Sequence, residues 1–309
     1  MKVNSRLKLP VIMATDCGAD MDDQWALAHL ALSPEIDLRG VVTTHTGDYP
    51  VFTEPAAESS AGAAREVLDR LPLRSRPPVI AGSSRPLKDK AVPMLNSGVE
   101  LILRESRRHG RNRRLTVVVT GAATDVASAL ICDPSLQGRI EIVAMAFDKW
   151  PEGGDVFNVK NDTKAWQVLL ESNAPIVVGD GEVARKHLGM TPERANELFH
   201  SCGPVGQYLA GLHASWIAKH KDLVREFSGS ENLWPVWDEV TVAYLLKFAN
   251  GTDHARPRMR DDTTFDRMPE SGPTRQVITW ITSIDSDRLW ADFRSKMKSA
   301  LKRQGATTR

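Results

Sequence analysis

Short apolar runs alternate with helix-like apolar spacing through the first half of this chain of 309 residues. The apolar runs predict buried strands, and the segments between them place apolar residues three or four positions apart, as on one face of a helix. The predicted strands are residues 11–14, 38–43, 79–81, 115–119, 140–146 and 176–178. The predicted helices are residues 24–32, 56–71, 96–108, 125–131 and 163–172. This alternation predicts an α/β fold, with an open, mainly parallel sheet and helices on both faces.

The last third of the chain has a different pattern. Residues 182–221 and 238–248 have helical spacing, residues 276–284 resemble a strand, and residues 287–301 predict a closing helix. The segment 251–272 is polar and interrupted by proline, which predicts a loop. Since no segment has the composition of a linker, we expect a single domain over residues 1–309 with a helical C-terminal elaboration.

Four aspartates follow the first predicted strand, in the segment TDCGADMDDQWAL: Asp16, Asp20, Asp22 and Asp23. One or two of them could simply cap the following helix, since acidic residues suit a first turn. Four exceed what capping uses, and like charges held together are unfavourable unless a positive charge neutralises them. A hard divalent cation with oxygen ligands is the simplest partner, so this turn predicts a metal or substrate site.

Small and polar residues also follow the other predicted strands. The second strand leads into THTGD, the third into GSSRP, the fourth into TGAATD, and the fifth into a segment that runs from Asp148 to Asn158. In an open α/β sheet, ligands bind beyond the carboxyl ends of the strands. This convergence therefore predicts one binding site at that edge of the sheet.

Composition excludes several classes of function. Lys and Arg total 40 against 39 acidic residues, so no overall charge attracts the chain to nucleic acid or to a membrane. The basic run at 104–114 is interpreted as a solvated helix end. Three separated cysteines form neither a disulfide framework nor a zinc motif. With no signal-peptide pattern and no apolar stretch of membrane-spanning length, we expect a cytoplasmic protein.

Taken in order, the strand-end segments resemble a known family. TDCGADMDDQWAL is similar to the acidic N-terminal motif of the inosine–uridine-type nucleoside hydrolases, in the variant with an additional acidic residue before the paired aspartates. VVTTHTGD, PPVIAGSSRPL, VVTGAATDVASAL, VFNVKNDTKAWQVLLES and VWDEVTVAYLL resemble later segments of that family, over about residues 9 to 250. The resemblance implies the Rossmann-like nucleoside hydrolase fold and assembly as a homodimer or homotetramer.

The resemblance also implies a metal site and a catalytic pair. Asp16 would bind Ca²⁺ and help to activate the attacking water, and Asp22 would contact the ribose hydroxyls. Asp23 and Asp238 would be calcium ligands, and Thr124 would offer its backbone carbonyl to the same ion. Ca²⁺ takes such oxygen ligands from carboxylates and carbonyls.

Two further residues would bind the sugar by the same resemblance. Asn158 would contact the ribose, and Asp48 stands where the family usually has an asparagine near the ribose. Asp20 has no clear counterpart in the shorter form of the acidic motif, so its role stays open.

The sequence departs from the family at the opposite end of the site. Trp237 replaces the histidine that commonly protonates the leaving base, and Val156 replaces a glutamate near the sugar 5′ position. Trp150 aligns near a family asparagine. Trp237, Trp150 and Trp234 could stack on the base or could be core or lid residues. His45 could act as a replacement acid or could be a structural histidine.

These observations favour a calcium-dependent N-ribohydrolase that acts on a nucleoside or a related N-riboside. The alternatives are a family member that binds nucleoside or ribose with little turnover, and a different small-molecule hydrolase on the same metal site. We expect a small-molecule substrate and no nucleic-acid or membrane partner. The base preference and the true general acid do not follow from the sequence.

Overall fold

An eight-stranded sheet organises the part of the chain that the computed structural model describes, namely residues 7–47, 57–155, 157–266 and 276–307. The strands are β1 (Leu9–Thr15), β2 (Ile36–Thr43), β3 (Val79–Ala81), β4 (Leu115–Thr120), β5 (Ile140–Met145), β6 (Ile176–Gly179), β7 (Gly189–Met190), β8 (Trp234–Pro235), β9 (Ala249–Ala255) and β10 (Val277–Ile284). The sheet has the order β3-β2-β1-β4-β5-β6-β10-β9. All neighbours are parallel except β9 and β10, while β7 and β8 form a separate antiparallel pair.

Helices cover both faces of this sheet. They are α1 (Asp22–Leu32), α2 (Ala57–Arg70), α3 (Ser97–Ser106), α4 (Thr124–Cys132), α5 (Asn158–Asn161), α6 (Thr163–Glu171), α7 (Gly181–His187), α8 (Pro192–Phe199), α9 (Gly203–Lys219), α10 (Lys221–Ser228), α11 (Glu239–Leu245) and α12 (Ser286–Thr307). Short 3₁₀ turns occupy Pro134–Gly138 and His200–Cys202. The predicted α/β class, with helices on both faces, is confirmed.

The central strand β1 shows why its sequence is continuously apolar. Successive side chains of a strand point to opposite faces of a sheet. Val11 and Met13 enter one core cluster with α1, α9, α11 and α12, and Ile12 and Ala14 enter a second cluster with α3, α4 and α6. Both faces of β1 are therefore buried, as parallel sheets require.

One prediction about the C-terminal part was wrong. The segment 251–272 was expected to be a loop, but its first residues belong to β9, which pairs with β10 at the edge of the sheet. Five of the seven side chains in β9 are exposed, so this strand needs no apolar alternation. A polar edge strand gives none of the hydrophobic signal on which the prediction relied. Within the described ranges, no helix has the length and apolar character needed to cross a membrane.

Candidate active site

A cavity of about 440 Å³ lies at the carboxyl edge of the sheet. Its walls include residues that follow β1, β5 and β6, together with Thr120 at the end of β4. Helices of the C-terminal elaboration close the opposite side. The volume falls in the range of small-molecule sites, and its position follows the rule for open α/β sheets. Of the strand ends that were expected to converge, those of β1, β4 and β5 line the described cavity, whereas the described residues after β2 and β3 do not.

The turn between β1 and α1 brings all four early aspartates to this cavity: Asp16, Asp20, Asp22 and Asp23. Capping does not account for them. The residue at the N-cap of α1 is Met21, which makes no capping bond with its side chain. The N–H of Met21 is bound by Asp20 and the N–H of Asp23 by Asp22 Oδ1 at 3.1 Å, whereas Asp16 and Asp23 show no bond to a backbone N–H at the start of α1 in the described structure.

Asp238 completes a buried group of carboxylates. It precedes α11, and its backbone N–H donates to Asp22 Oδ2 at 3.3 Å. One carboxylate oxygen from each of Asp22, Asp23 and Asp238 lies within 4.8 Å of the others. Asp16 lines the same cavity and is 6% exposed. We call these four residues the acidic end of the cavity.

Burial and mutual repulsion dominate the electrostatics of the acidic end. The pKa values of the Asp16, Asp22 and Asp238 carboxyls lie well above their usual range, first because burial removes water from the charged form. The charge of a neighbour raises each pKa further: Asp23 for Asp16, Asp20 for Asp22, and Asp22 for Asp238. A cation in the centre of the group would remove this repulsion.

One oxygen of Asp238 provides a direct test of whether a metal fits. Oδ2 of Asp238 is buried and has no hydrogen-bond partner among the described residues. A buried acceptor without a partner is unusual in proteins and indicates that a ligand binds there. A hard cation that takes several oxygens at about 2.3–2.6 Å would satisfy it. The donor set therefore fits a divalent metal of the calcium type, because it contains carboxylates and hydroxyls and no sulfur or imidazole.

Thr120 and Thr124 lie at the end of β4 and at the start of α4. Among the described residues, Thr120 lines the cavity and donates its hydroxyl to Asp23 Oδ1 at 2.9 Å, whereas Thr124 is not part of the lining. Thr124 is the first residue of α4, where its carbonyl accepts a hydrogen bond within the helix. Its hydroxyl donates to Asp162 Oδ2 at 2.6 Å. Binding of the metal by the Thr124 carbonyl stays a prediction.

The end of β4 can approach the acidic turn because the next residue is a glycine. A Cβ atom at Gly121 would lie 2.7 Å from the backbone nitrogen of Asp16 and 3.0 Å from its Cγ. Real Cβ atoms do not approach backbone atoms this closely. Gly121 therefore lets the ends of β1 and β4 bring Asp16 and Thr120 into one site.

A buried histidine holds together the helices that carry the acidic end. His29 of α1 lies between Glu239 and Asp292, with Nδ1 2.9 Å from Glu239 Oε2 and Nε2 3.0 Å from Asp292 Oδ2. Burial acts to lower its pKa, but the two carboxylates outweigh burial and raise it. Both ring nitrogens face carboxylates, which favours the protonated ring. It fixes α1 against α11 and α12.

The sugar-binding expectations have different outcomes. Asn158 lines the cavity, and its Nδ2 donates to the carbonyl of Met145 at 3.0 Å. This bond leaves the side-chain oxygen of Asn158 available to face a ligand. Asp48 and Val156 lie outside the described residues.

The other end of the cavity is aromatic and comes mainly from the helical elaboration. Trp216, Phe227, Trp234 and Trp237 form what we call the aromatic end. Trp234 packs edge-on against Trp237, with ring centroids 5.5 Å apart. The indole N–H of Trp234 donates to Asp20 Oδ2 at 2.6 Å. Asp20 therefore links the two ends, which is a role that the sequence left open.

Two candidate substrate residues, Trp150 and His45, have other partners in the structure. Trp150 is not part of the described cavity lining, because its ring stacks on His254 at 4.4 Å and packs against Trp280 in a core cluster. His45 is also outside that lining. It is buried, with Nε2 3.0 Å from Thr124 Oγ1 and Nδ1 accepting from the N–H of Gly47. This arrangement agrees with the structural alternative for His45.

Sequence reasoning missed several lining residues, above all Arg185. Arg185 lies on α7, which directly follows β6. Extending the strand-end rule to the sixth strand would have led to it. Trp216 and Phe227 carry no such signal, because an aromatic residue on a helix reveals nothing about which cavity it borders.

Comparison with known proteins agrees with this geometry. Residues 11–291 match the model of the family described as inosine-uridine preferring nucleoside hydrolase. A pyrimidine-specific ribonucleoside hydrolase, RihA, of Salmonella enteritidis PT4 is 27% identical over 271 residues, covering 78% of this chain and 80% of that protein. The RihA protein of Klebsiella pneumoniae subsp. pneumoniae is 28% identical over 274 residues, with the same coverage.

Solved structures agree in fold. The plant nucleoside hydrolase PpNRh1 superposes with a TM-score of 0.74 at 16% identity, covering 95% of this chain and 100% of that one. A purine-preferring ribonucleoside hydrolase from Gardnerella vaginalis gives a TM-score of 0.73 at 19% identity, covering 95% and 99%. At these identities the likeness concerns the fold, and the site must be argued from its own residues.

Proposed function

Because the chain belongs to the inosine-uridine preferring nucleoside hydrolase family, and is thus a hydrolase of N-glycosyl bonds, we propose that it is a calcium-dependent N-ribohydrolase. Its substrate would be a nucleoside or a related N-riboside. The observation that carries the proposal is the buried acidic end, which opens onto a cavity whose opposite wall is aromatic. One end suits a cation and a sugar, and the other suits a planar base.

The proposed calcium ligands are the carboxylates of Asp16, Asp23 and Asp238, with the backbone carbonyl of Thr124. The unpartnered oxygen of Asp238 and the closeness of the carboxylates support this set. When bound, the ion would lower the pKa of a water molecule, orient it, and hold the vicinal hydroxyls of the ribose.

Asp16 is the proposed acceptor for a proton of that water. Burial, and then the charge of Asp23, raise the pKa of the Asp16 carboxyl, which makes it a stronger base than an exposed aspartate. The water oxygen bonds to C1′ of the sugar as the C1′–N bond breaks, and the bonding electron pair stays on the base nitrogen. Asp22 and Asn158, which line the cavity, would bind the ribose.

The transition state explains why an acidic site suits this reaction. Cleavage of a glycosidic bond passes through a sugar with oxocarbenium character, which is positively charged near C1′. Fixed carboxylates that surround the ring stabilise that charge as it develops. The acidic end can thus hold a metal, accept a proton and favour the transition state with one set of groups.

The test is release of reducing sugar from a panel of purine and pyrimidine nucleosides. The purified protein is stripped with a chelator and assayed before and after calcium is returned. We expect activity to be lost on stripping and restored by calcium. Absence of sugar release from every nucleoside in the presence of calcium would contradict the proposal. Calorimetry on the same sample identifies the alternative, a binder with little turnover, through heat of binding without product.

A further inference from the structure

Arg185 is the one cation among the described residues that line the cavity. Its side chain is 34% exposed, and its Nη2 donates to Asp148 Oδ1 at 2.6 Å. Its Cζ lies 5.8 Å from the ring centroid of Trp237, within the range of a cation–π contact. Arg185 therefore borders the aromatic end at Trp237.

The cavity wall is shaped to hold this ion pair. A Cβ atom at position 181 would lie 3.0 Å from Arg185 Nη1 and 3.1 Å from Asp148 Oδ1. Gly181 itself lines the cavity, so the absence of a side chain there gives the guanidinium its place in the wall. Asp148, Gly181 and Trp237 together fix the position of the charge.

The reaction needs a positive charge or an acid at this end. Breaking the C1′–N bond leaves an electron pair on the base, and that pair must be stabilised as the bond opens. No histidine, lysine, tyrosine or cysteine is found among the described lining residues. The candidates for this role are therefore the aspartates and Arg185.

The three lining aspartates outside the acidic end already have hydrogen-bond partners. Asp155 accepts hydrogen bonds from the backbone N–H groups of Phe147, Phe157 and Val159. Both oxygens of Asp20 are used, one by the N–H of Met21 and the other by the indole of Trp234. Asp148 is held by Arg185 itself. The guanidinium, in contrast, has five N–H donors in a planar fork and shows one bond in the described structure, to Asp148.

We propose that Arg185 is a catalytic residue that binds the departing base and stabilises the negative charge formed on it. The guanidinium donates hydrogen bonds and keeps its protons, since it stays charged at any pH compatible with folding. The electron pair of the C1′–N bond remains on the base nitrogen, which afterwards takes a proton from solvent. This inference rests on the proposed N-ribohydrolase function.

A leaving-group comparison tests the role. Wild type and Arg185→Gln are assayed with uridine, with inosine and with p-nitrophenyl β-D-ribofuranoside, whose aglycone leaves as a stable anion. We expect Arg185→Gln to lower kcat on the nucleosides by about 10²–10³-fold, the usual effect of losing one donor to a developing anion. Turnover of the nitrophenyl riboside should change little, because that leaving group needs no stabilisation.

Two further variants sharpen the result. Arg185→Lys keeps a point charge but loses the planar fork, so its nucleoside kcat should fall between those of wild type and Arg185→Gln. Arg194→Gln removes an exposed arginine from a surface ion pair and should behave as wild type. Thermal unfolding of each variant shows whether the fold is retained.

The outcomes separate the two proposals. If wild type cleaves ribosides and Arg185→Gln slows all three substrates equally, or slows none, Arg185 has no leaving-group role and the N-ribohydrolase function stands. If wild type cleaves no riboside, including the activated one, the proposed function fails and the role of Arg185 fails with it.

Discussion

The two ends of the cavity are built in different ways. The acidic end stands on the central strands and on the first turns of two helices, and its side chains are nearly fully buried. The aromatic end comes largely from α9, α10 and the segment before α11, and its rings pack edge-to-face with one another. A rigid frame thus fixes the charges, while packing alone fixes most of the rings.

This difference suggests a division of labour. Groups that must hold a metal and a reacting atom have to be placed within fractions of an ångström, which strand ends and helix starts can do. Groups that select a planar base need area and shape more than exact direction. We therefore expect changes at the acidic end to abolish turnover, and changes at the aromatic end to alter which riboside is used.

The largest effect is expected from Asp238→Asn. Loss of a metal-binding carboxylate should lower kcat/KM by about 10³-fold or more, since a bound metal contributes several kcal/mol and each 1.36 kcal/mol is tenfold. In chelator, the same change should raise Tm, because it removes one of several mutually repelling buried carboxyls. Sugar-release kinetics and thermal unfolding check both signs.

An exposed aspartate provides the matched control for that change. Asp222→Asn on α10 alters a solvated carboxylate and should leave kcat/KM and the calcium-induced rise in Tm unchanged. If Asp238→Asn retained a normal calcium response, the assignment of the acidic end as the metal site would be wrong.

Substitution of His29 should weaken the packing of the helices that support the acidic end. In His29→Leu the carboxylates of Glu239 and Asp292 lose their shared partner, and Glu239 is fully buried. Removing one member of a buried ion pair costs about 3–5 kcal/mol, so the free energy of unfolding should fall by that amount. Chemical denaturation measures it.

A second buried histidine separates the charge effect from the loss of ring packing. Burial lowers the pKa of His213 to about 4, so that its ring is neutral, and its Nε2 lies 3.4 Å from the carbonyl of Trp234. His213→Leu should therefore destabilise the protein clearly less than His29→Leu. Equal losses from the two substitutions would mean that the ion pair of His29 has no special role.

Most of the acidic end could be predicted from the sequence, and the aromatic end only in part, through Trp234 and Trp237. The aspartates follow a strongly apolar strand, so position along the chain already placed them at the ligand-binding edge. Asp238 came from the family resemblance, because no local pattern links it to Asp22 over more than two hundred residues. The position of Trp150 stayed open and Arg185 was missed for the same reason. Side-chain neighbours across helices depend on tertiary packing, which one sequence does not show.

The pH dependence of calcium binding tests the electrostatic repulsion at the acidic end. Raised pKa values of buried carboxyls stabilise the metal-free fold below the usual carboxyl pKa, and this stability is lost as pH rises through the raised values, about 7 for Asp20. Calcium competes with those protons, so the calcium-induced rise in Tm should be larger near pH 8 than near pH 5. A rise in Tm that does not depend on pH would contradict the picture of repelling carboxylates.

At the aromatic end, Trp237→Ala should weaken binding of the base and leave binding of the sugar unchanged. Stacking of an aromatic side chain on a base contributes about 1–3 kcal/mol, so KM for a nucleoside should rise about 5–150-fold. Inhibition by free ribose should stay unchanged, because ribose would occupy the acidic end. Trp237→Phe keeps a ring and should lose less. A parallel loss of ribose inhibition would place Trp237 in sugar binding.

The smallest effect is expected at Trp150, for which the sequence left open both stacking on the base and a position in the core. Its ring lies against His254, Trp280 and Phe265, so Trp150→Leu removes packing outside the cavity and should lower Tm. Because no described part of the lining changes, KM and kcat should stay close to wild type while Trp237→Ala raises KM. Both variants remove one indole, so steady-state kinetics compare the loss of an indole at the two positions. A rise in KM as large as that of Trp237→Ala would mean that Trp150 contacts the substrate. Trp150 would then belong to the aromatic end and not to the core.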